Sequence, residues 1–209
     1  MQIKQAPRRR SITRAEQKEK TQARVINAAR ELFSEKGFFG TRASDIAKAA
    51  GVAHGTVFSE YGSKVGLITG ILESILCERI EIIRKVVKKG RKKGLSRSEL
   101  FLEALRAHWD YDSAQHRLIQ AYFSYSWVWD REDESEYHKR QVRTLKIYLD
   151  LLEDGAALDI GKYDPDVHDR ISVLVAVFND ALRSVRHGKD EVQWARVEKA
   201  AKLLFPFKD

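Results

Sequence analysis

This sequence of 209 residues has one cysteine, three prolines and no uninterrupted apolar run of the roughly 18 residues that a membrane span needs. A lone thiol, Cys77, excludes an intramolecular disulfide framework and suits a reducing compartment. The first residues lack the apolar stretch of a secretory signal, so the expected location is the cytoplasm, with no membrane partner. Also missing are a nucleophile elbow, a phosphate loop, paired carboxylates at catalytic spacing and closely spaced metal ligands. The expectation is therefore a protein that is not an enzyme and holds neither metal nor cofactor. With so few prolines and only 12 glycines, and with apolar residues recurring at helical intervals instead of alternating, almost no sheet is expected.

What is present is a globular, basic chain. Hydrophobic residues make up 43% and aromatics 10%, enough to bury a core. Lys and Arg number 38 against 30 Asp and Glu, a formal charge of +8 that suits a polyanionic partner. The excess is concentrated in residues 1–24, where Lys4, Arg8, Arg9, Arg10, Arg14, Lys18, Lys20 and Arg24 face only Glu16 and Glu19. Residues 1–20 read as a basic arm.

Helical periodicity organises the rest. Val25, Ile26, Ala29, Leu32 and Phe33 share one face of a helix over about 16–36, stopped before Gly37. Thr41 has the character of an N-cap for a short helix carrying Ile46, Ala47 and Ala50 and ending at Gly51, and a third helix covers about 53–60. Ser63 caps a fourth, with Leu67, Ile68, Ile71, Leu72, Ile75 and Ile82 as its buried stripe. The basic run 84–97, containing Gly90 and Gly94, reads as that helix's solvated C-terminus, where cations favour the dipole. Further helices are expected at about 98–110, 114–129, 132–153, 167–186 and 190–204, without internal repeats. The fold class is all-α: a helix-turn-helix domain over 21–66 and a larger helical domain over 67–209.

Two short helices with Gly51 at their corner, a small Ala47 where they cross, and Ile46, Val52 and Val57 able to share a miniature core fit a helix-turn-helix. The run from Arg24 to Ile68 carries Ala28-Ala29, Leu32-Phe33, Gly37-Phe38, Thr41, Asp45-Ile46-Ala47, Ala50-Gly51-Val52, Gly55-Thr56-Val57-Phe58 and Ser63-Lys64. It resembles the DNA-binding domain of the tetracycline-repressor (TetR) family. The resemblance covers about the first third of the chain. It implies a homodimer, a two-fold symmetric operator in double-stranded DNA and a C-terminal domain that senses a small-molecule effector. In such a motif His54, Gly55, Thr56 and Ser59 lie on the helix that enters the major groove, with His54 and Thr56 as candidates for base readout. Thr41 and Arg42 are expected on phosphate, as is Lys64, a cation at a helix N-terminus that makes sense with an anion beside it. Ala53 stands where relatives commonly have a capping Ser, Phe58 where they have tyrosine, and Glu60 where Tyr or His is frequent; the Glu60 carboxylate reads as solvent-facing or as an acceptor for a cytosine amino group.

Residues 100–150 are rich in aromatics, which suits a ligand pocket, and Trp109, Tyr122, Tyr125, Trp129 and Tyr148 are its expected walls. Isolated His108, His116 and His138 read as polar handles or surface groups. The dimer is expected to form through apolar faces of the last two helices: Ile171, Leu174, Val175, Phe178, Leu182, Val185, Trp194, Val197, Ala201 and Leu204. The function implied is a repressor released from DNA by its ligand. The alternative is an architectural DNA-binding protein without a sensor function.

Overall fold

The computed structural model describes residues 13–125, 131–152, 165–185 and 190–207, all in helices and their connections. The chain divides into two compact units between Ile71 and Leu72.

The first unit is built from α1 (Arg14–Gly40), α2 (Ala43–Ala50), α3 (His54–Tyr61) and the first turns of α4 (Lys64–Lys92). Helix α1 starts earlier than periodicity suggested. Thr13 Oγ1 accepts the Glu16 amide at 3.2 Å and the Glu16 carboxylate accepts the Thr13 amide at 2.8 Å, a reciprocal capping box. Residues 14–20, read as part of a basic arm, are therefore helical, and Arg14, Lys18 and Lys20 are exposed on α1. At its other end the helix kinks at Gly37 (φ 73°, ψ 165°), a conformation that disfavours any side chain, before a last turn to Gly40. Gly51 (φ 63°, ψ 43°) closes α2 in the left-handed region, returning its N–H to the Ala47 and Lys48 carbonyls and turning the chain into α3. Val25, Ala29, Phe33, Ile46, Ala47, Val57, Leu67 and Ile71 meet in this unit's core.

Thr41 has a different task from the one its neighbours suggested. It is 2% exposed, and its hydroxyl is shared between the Gly37 carbonyl at 2.8 Å and the Leu32 carbonyl at 3.1 Å, while Arg42 occupies the N-cap position of α2. The hydroxyl closes the end of α1, whose last carbonyls need donors, and is turned away from solvent. Thr41→Val, which keeps the shape and removes the donor, is expected to cost about 1–2 kcal/mol in urea unfolding because two partly buried carbonyls lose its hydroxyl. DNA affinity per folded molecule should not change; a loss of affinity without a loss of stability would restore Thr41 to a phosphate contact.

The second unit holds the remainder of α4, then α5 (Arg97–Ala114), α6 (His116–Tyr125), α7 (Arg131–Leu152), α8 (Pro165–Ser184) and α9 (Glu191–Leu204). Ser96 and Glu99 form a second capping box at the start of α5. The cations of the basic run up to Lys92 are exposed on the last turns of α4, with Val87 and Gly90 turned inward and Gly94 (φ 73°) following the helix end. Helices α8 and α9 lie against each other and against α5, and their shared core is where the expected dimer face is found. Ile171, Leu174, Phe178, Leu182, Val185, Trp194, Val197 and Ala201 are each 8% exposed or less and pack on Phe101, Trp109 and Leu105 of the same chain. Leu204 is half-buried against this core, and Val175 alone of the ten is exposed, at 45%. Amphipathic periodicity located the apolar face correctly, but the chain's own α5 takes it up. The outer side of the two helices carries Val173, Ala176, Val192 and Leu203 around an Asp180–Arg196 ion pair of 2.7 Å.

Candidate nucleic-acid interface and ligand cavity

Helix α3 is held from behind and open in front. Val57, 2% exposed, anchors it to the unit's core, while His54, Gly55, Phe58 and Ser59 are exposed and Thr56 is half-buried. The His54 and Phe58 rings, one turn apart, lie 5.1 Å between centroids, so an imidazole and a 44% exposed phenyl form one continuous outer surface. A Cβ added at Gly55 would meet nothing within 4 Å. Packing therefore does not demand glycine there. The Ser59 hydroxyl donates back to the Thr56 carbonyl at 3.1 Å, leaving its oxygen as an outward acceptor. Ala53 supplies no side-chain cap to α3, and the Thr56 amide reaches the Ala53 carbonyl at 2.9 Å instead.

The Glu60 carboxylate does not reach outward as an acceptor for a base. Its Oε2 accepts from Gln22 Nε2 at 2.7 Å and pairs with Lys18 Nζ at 3.6 Å, both on α1. Next to it the Tyr61 hydroxyl donates to the Gln22 carbonyl at 3.2 Å, and burial together with the Glu60 charge pushes that phenol above its ordinary pKa, keeping it a donor. Together these contacts clamp the C-terminal end of α3 to α1, in addition to the anchor that Val57 gives the middle of the helix. Arg42 is exposed at the start of α2, its amide directed at the Asp45 carboxylate at 3.4 Å. Lys64 is the first residue of α4, which Ser63 caps by accepting the Gly66 amide at 3.1 Å; the Lys64 side chain lies outside what is described.

Within the second unit α4, α5, α6, α7 and α8 line a partly open cavity of about 450 Å³. Leu72, Ile75, Leu105, Leu145, Ile171 and Phe178 give it mainly apolar walls. One part of the wall is ionic. Arg79 Nη1 donates to Asp112 Oδ2 at 2.8 Å and Nη2 to Thr144 Oγ1 at 3.1 Å; Arg79, Asp112 and Thr144 are 7%, 2% and 4% exposed. His108 Nε2 lies 3.2 Å from the same Oδ2, and its Nδ1 lies 2.9 Å from the Tyr148 hydroxyl. The consistent tautomer has Nε2–H donating to Asp112 and bare Nδ1 accepting from Tyr148. Burial, reinforced by the Arg79 charge, holds the His108 pKa below its usual value, so the ring is neutral at pH 7. For Asp112 burial pushes upward, but Arg79 and then His108 outweigh it and hold the carboxyl below its usual range. The cluster is thus one cation and one anion, with no net charge.

Tyr148 stands on the cavity wall, but Trp109 does not. Its ring is fully buried behind the cavity, 5.6 Å from Phe178 and 6.3 Å from Trp194. The side chains of Tyr122 and Tyr125, and Trp129 altogether, fall outside the described residues.

Residues 25–71 match the family described as bacterial regulatory proteins, tetR family. The match spans the helix-turn-helix segment, so the likeness to the TetR family is established for that part of the chain. Among curated relatives it is 39% identical over 61 residues to the HTH-type transcriptional regulator YvdT of Bacillus subtilis, 29% of this chain and 31% of that protein. A longer match, 26% identical over 137 residues and 66% of each protein, is to the fatty acid metabolism regulator protein of the same organism. The chain therefore spans less than a third of YvdT in its match. Among solved structures, Thermus thermophilus FadR, a TetR-family repressor in complex with lauroyl-CoA, superposes with a TM-score of 0.62 at 21% identity, covering 88% of this chain and 92% of that one. At that identity the likeness is one of fold.

The TetR likeness by itself would not have found the ionic part of the cavity wall. Arg79 interrupts the buried stripe of α4, standing four residues after Ile75 and four before Ile83, and an arginine at an inward position is a signal that its partner is buried too. His108 and Asp112, and likewise Thr144 and Tyr148, are spaced four apart and so share helix faces. Among the described residues there is no group of three or more His, Cys, Asp or Glu side chains placed to hold a metal, and no helix long and apolar enough to cross a membrane.

Proposed function

We propose that this protein is a transcriptional regulator of the TetR kind that binds a two-fold symmetric DNA operator as a homodimer and is released by a small molecule in the cavity of its second unit. The observation that carries the reading is α3: an exposed face of His54, Gly55, Phe58 and Ser59 on a helix pinned by Val57 and clamped through Glu60 and Tyr61. A rigid helix with its N-terminal residues outward is what major-groove readout requires, with His54 and Thr56 toward base edges and Arg42 and Lys64 toward phosphates. The cavity supports a sensing role, since its size lies in the range of small-molecule sites and its apolar walls carry a few convergent polar groups. FadR from Thermus thermophilus, similar in fold, is a repressor that binds lauroyl-CoA. Helix α4 belongs to both units and lines the cavity with Leu72, Ile75, Leu76 and Arg79, so a ligand that favours one setting of α4 shifts the spacing of the paired recognition helices.

Half-site reading needs two copies, and with the inner faces of α8 and α9 spent on the chain's own core, pairing falls to their outer side. Sedimentation velocity is expected to give two chains per particle. Val173→Asp, at a position 50% exposed, should leave each chain folded, convert the particle to a monomer and weaken operator binding by about a hundredfold, as like charges meet across the two-fold axis. A wild-type monomer that binds a full operator with unchanged affinity would overturn the dimeric reading.

A further inference from the structure

We propose that the cavity takes an uncharged, largely apolar molecule carrying a single hydrogen-bonding O–H or N–H head, a lipophilic alcohol or amide, with that head donating to Asp112 Oδ1. This rests on the reading of the cavity as the effector site and names the chemistry it selects.

The selection follows from what the polar cluster has already used and what it has left. Arg79 spends Nη1 on Asp112 and Nη2 on Thr144, and Asp112 Oδ2 takes both Arg79 and His108. Two atoms remain: Asp112 Oδ1, an acceptor, and Arg79 Nε, a donor, both buried and without a hydrogen-bond partner among the described residues. Both residues line the cavity. A buried carboxylate oxygen without a donor is costly, so a molecule that supplies one there gains more than the same contact would give in water. A hydroxyl donates to Oδ1 and keeps lone pairs for a donor, and a primary amide offers the same combination with its N–H and C=O.

Charge excludes the other heads. Because the Arg79–Asp112 pair is neutral and His108 is held uncharged, a carboxylate entering here finds its cation already taken and an anion beside it. An ammonium satisfies Oδ1 but brings a second positive charge next to Arg79. An ester or thioester has an acceptor only and leaves Oδ1 bare. Away from this cluster the walls are mainly hydrocarbon, with Gln141, His168, Ser172 and Asn179 among them, so the remainder of the molecule is largely apolar.

The test is calorimetric titration of the full chain at pH 7.5 with decyl probes that differ only in the head: 1-decanol, decanoate, decylammonium, methyl decanoate and decanoyl-CoA. Decanol is expected to bind about tenfold or more tightly than each of the others, the discrimination available to a site whose buried polar groups are left unpaired by the wrong head. Asp112→Asn removes the anion and leaves Arg79 uncompensated, so the order should reverse and decanoate should overtake decanol. A side chain that only supports the fold would weaken all five probes together. Should the Asn variant fail to fold, Arg79→Met with Asp112→Leu replaces the pair by hydrocarbon, and decanol and methyl decanoate should then bind within about threefold of each other. Decanoate or decanoyl-CoA binding the intact protein as tightly as decanol, an order unchanged in Asp112→Asn, or no binding of any probe would overturn the assignment. Operator affinity measured on the same preparations without probe reports the DNA reading separately: a protein that holds its operator and prefers decanoate contradicts the ligand chemistry alone.

Discussion

Arg79→Met is expected to destabilise the protein by about 3–5 kcal/mol at pH 7, whereas Arg79→Met combined with Asp112→Leu should cost little or nothing, because a buried pair is near break-even while half of one is an uncompensated charge. The arginine and aspartate are 7% and 2% exposed and joined at 2.8 Å, so removing the guanidinium strands the carboxylate with only His108 and no nearby cation. The pH dependence fixes the cause. In the intact protein Asp112 is held below its unfolded pKa of about 4, so its contribution is in place above that pH and disappears as the pH falls through the folded value. Without Arg79, burial dominates and the folded pKa rises above the unfolded one. Stability is then lost as pH rises. The deficit of Arg79→Met in urea unfolding should therefore be larger at pH 7 than at pH 4. A deficit that does not change with pH would mean that the loss is one of packing by the arginine's aliphatic stem.

The second large effect separates folding from recognition. Gly55→Glu places a carboxylate in the first turn of α3, where it is favourable to the helix dipole and replaces the poorest helix former after proline, and no atom stands within 4 Å of the new Cβ. Thermal unfolding should show a stability equal to the wild type or higher by up to about 1 kcal/mol. DNA binding should fall by about a hundredfold or more, since the new charge lies between the exposed His54 and Phe58 and faces the phosphate-rich groove. If Gly55→Glu binds the operator as the wild type does, the exposed face of α3 does not meet DNA.

How much of this was legible in the sequence depends on what each signal encodes. The helix-turn-helix was legible because Ala47, Gly51 and Val57 must be small, flexible and apolar at fixed intervals for any such corner to form, and those demands are local. The all-helical class and the placement of most helices follow from the same periodicity. Thr13 and Glu16 spell a capping box, yet they sit in a stretch dominated by cations, and composition outweighed the cap. Thr41 illustrates an ambiguity of position: a threonine between two helices can close the one before or open the one after, and only the Gly37 kink decides which. Most of the expected dimer residues lie in the chain's own core for a deeper reason. An apolar stripe states that a face is buried but not by whom, and here α5 of the same chain covers it. Aromatic content could not separate Trp109, which fills the core, from Tyr148, which borders the cavity. The Arg79–Asp112 pair escaped because its members are 33 residues apart, and nothing local couples them.

Selection of bound duplexes from a random DNA pool, run in parallel with wild type, His54→Ala and Gly55→Glu, tests sequence-specific recognition through α3 most directly. The account predicts an inverted-repeat motif for the wild type, relaxed base preference at one position of each half-site for His54→Ala, and no recovered motif for the folded Gly55→Glu protein. Salt-sensitive binding by the wild type without any enriched motif would contradict it and leave a basic protein that holds DNA through its phosphates alone.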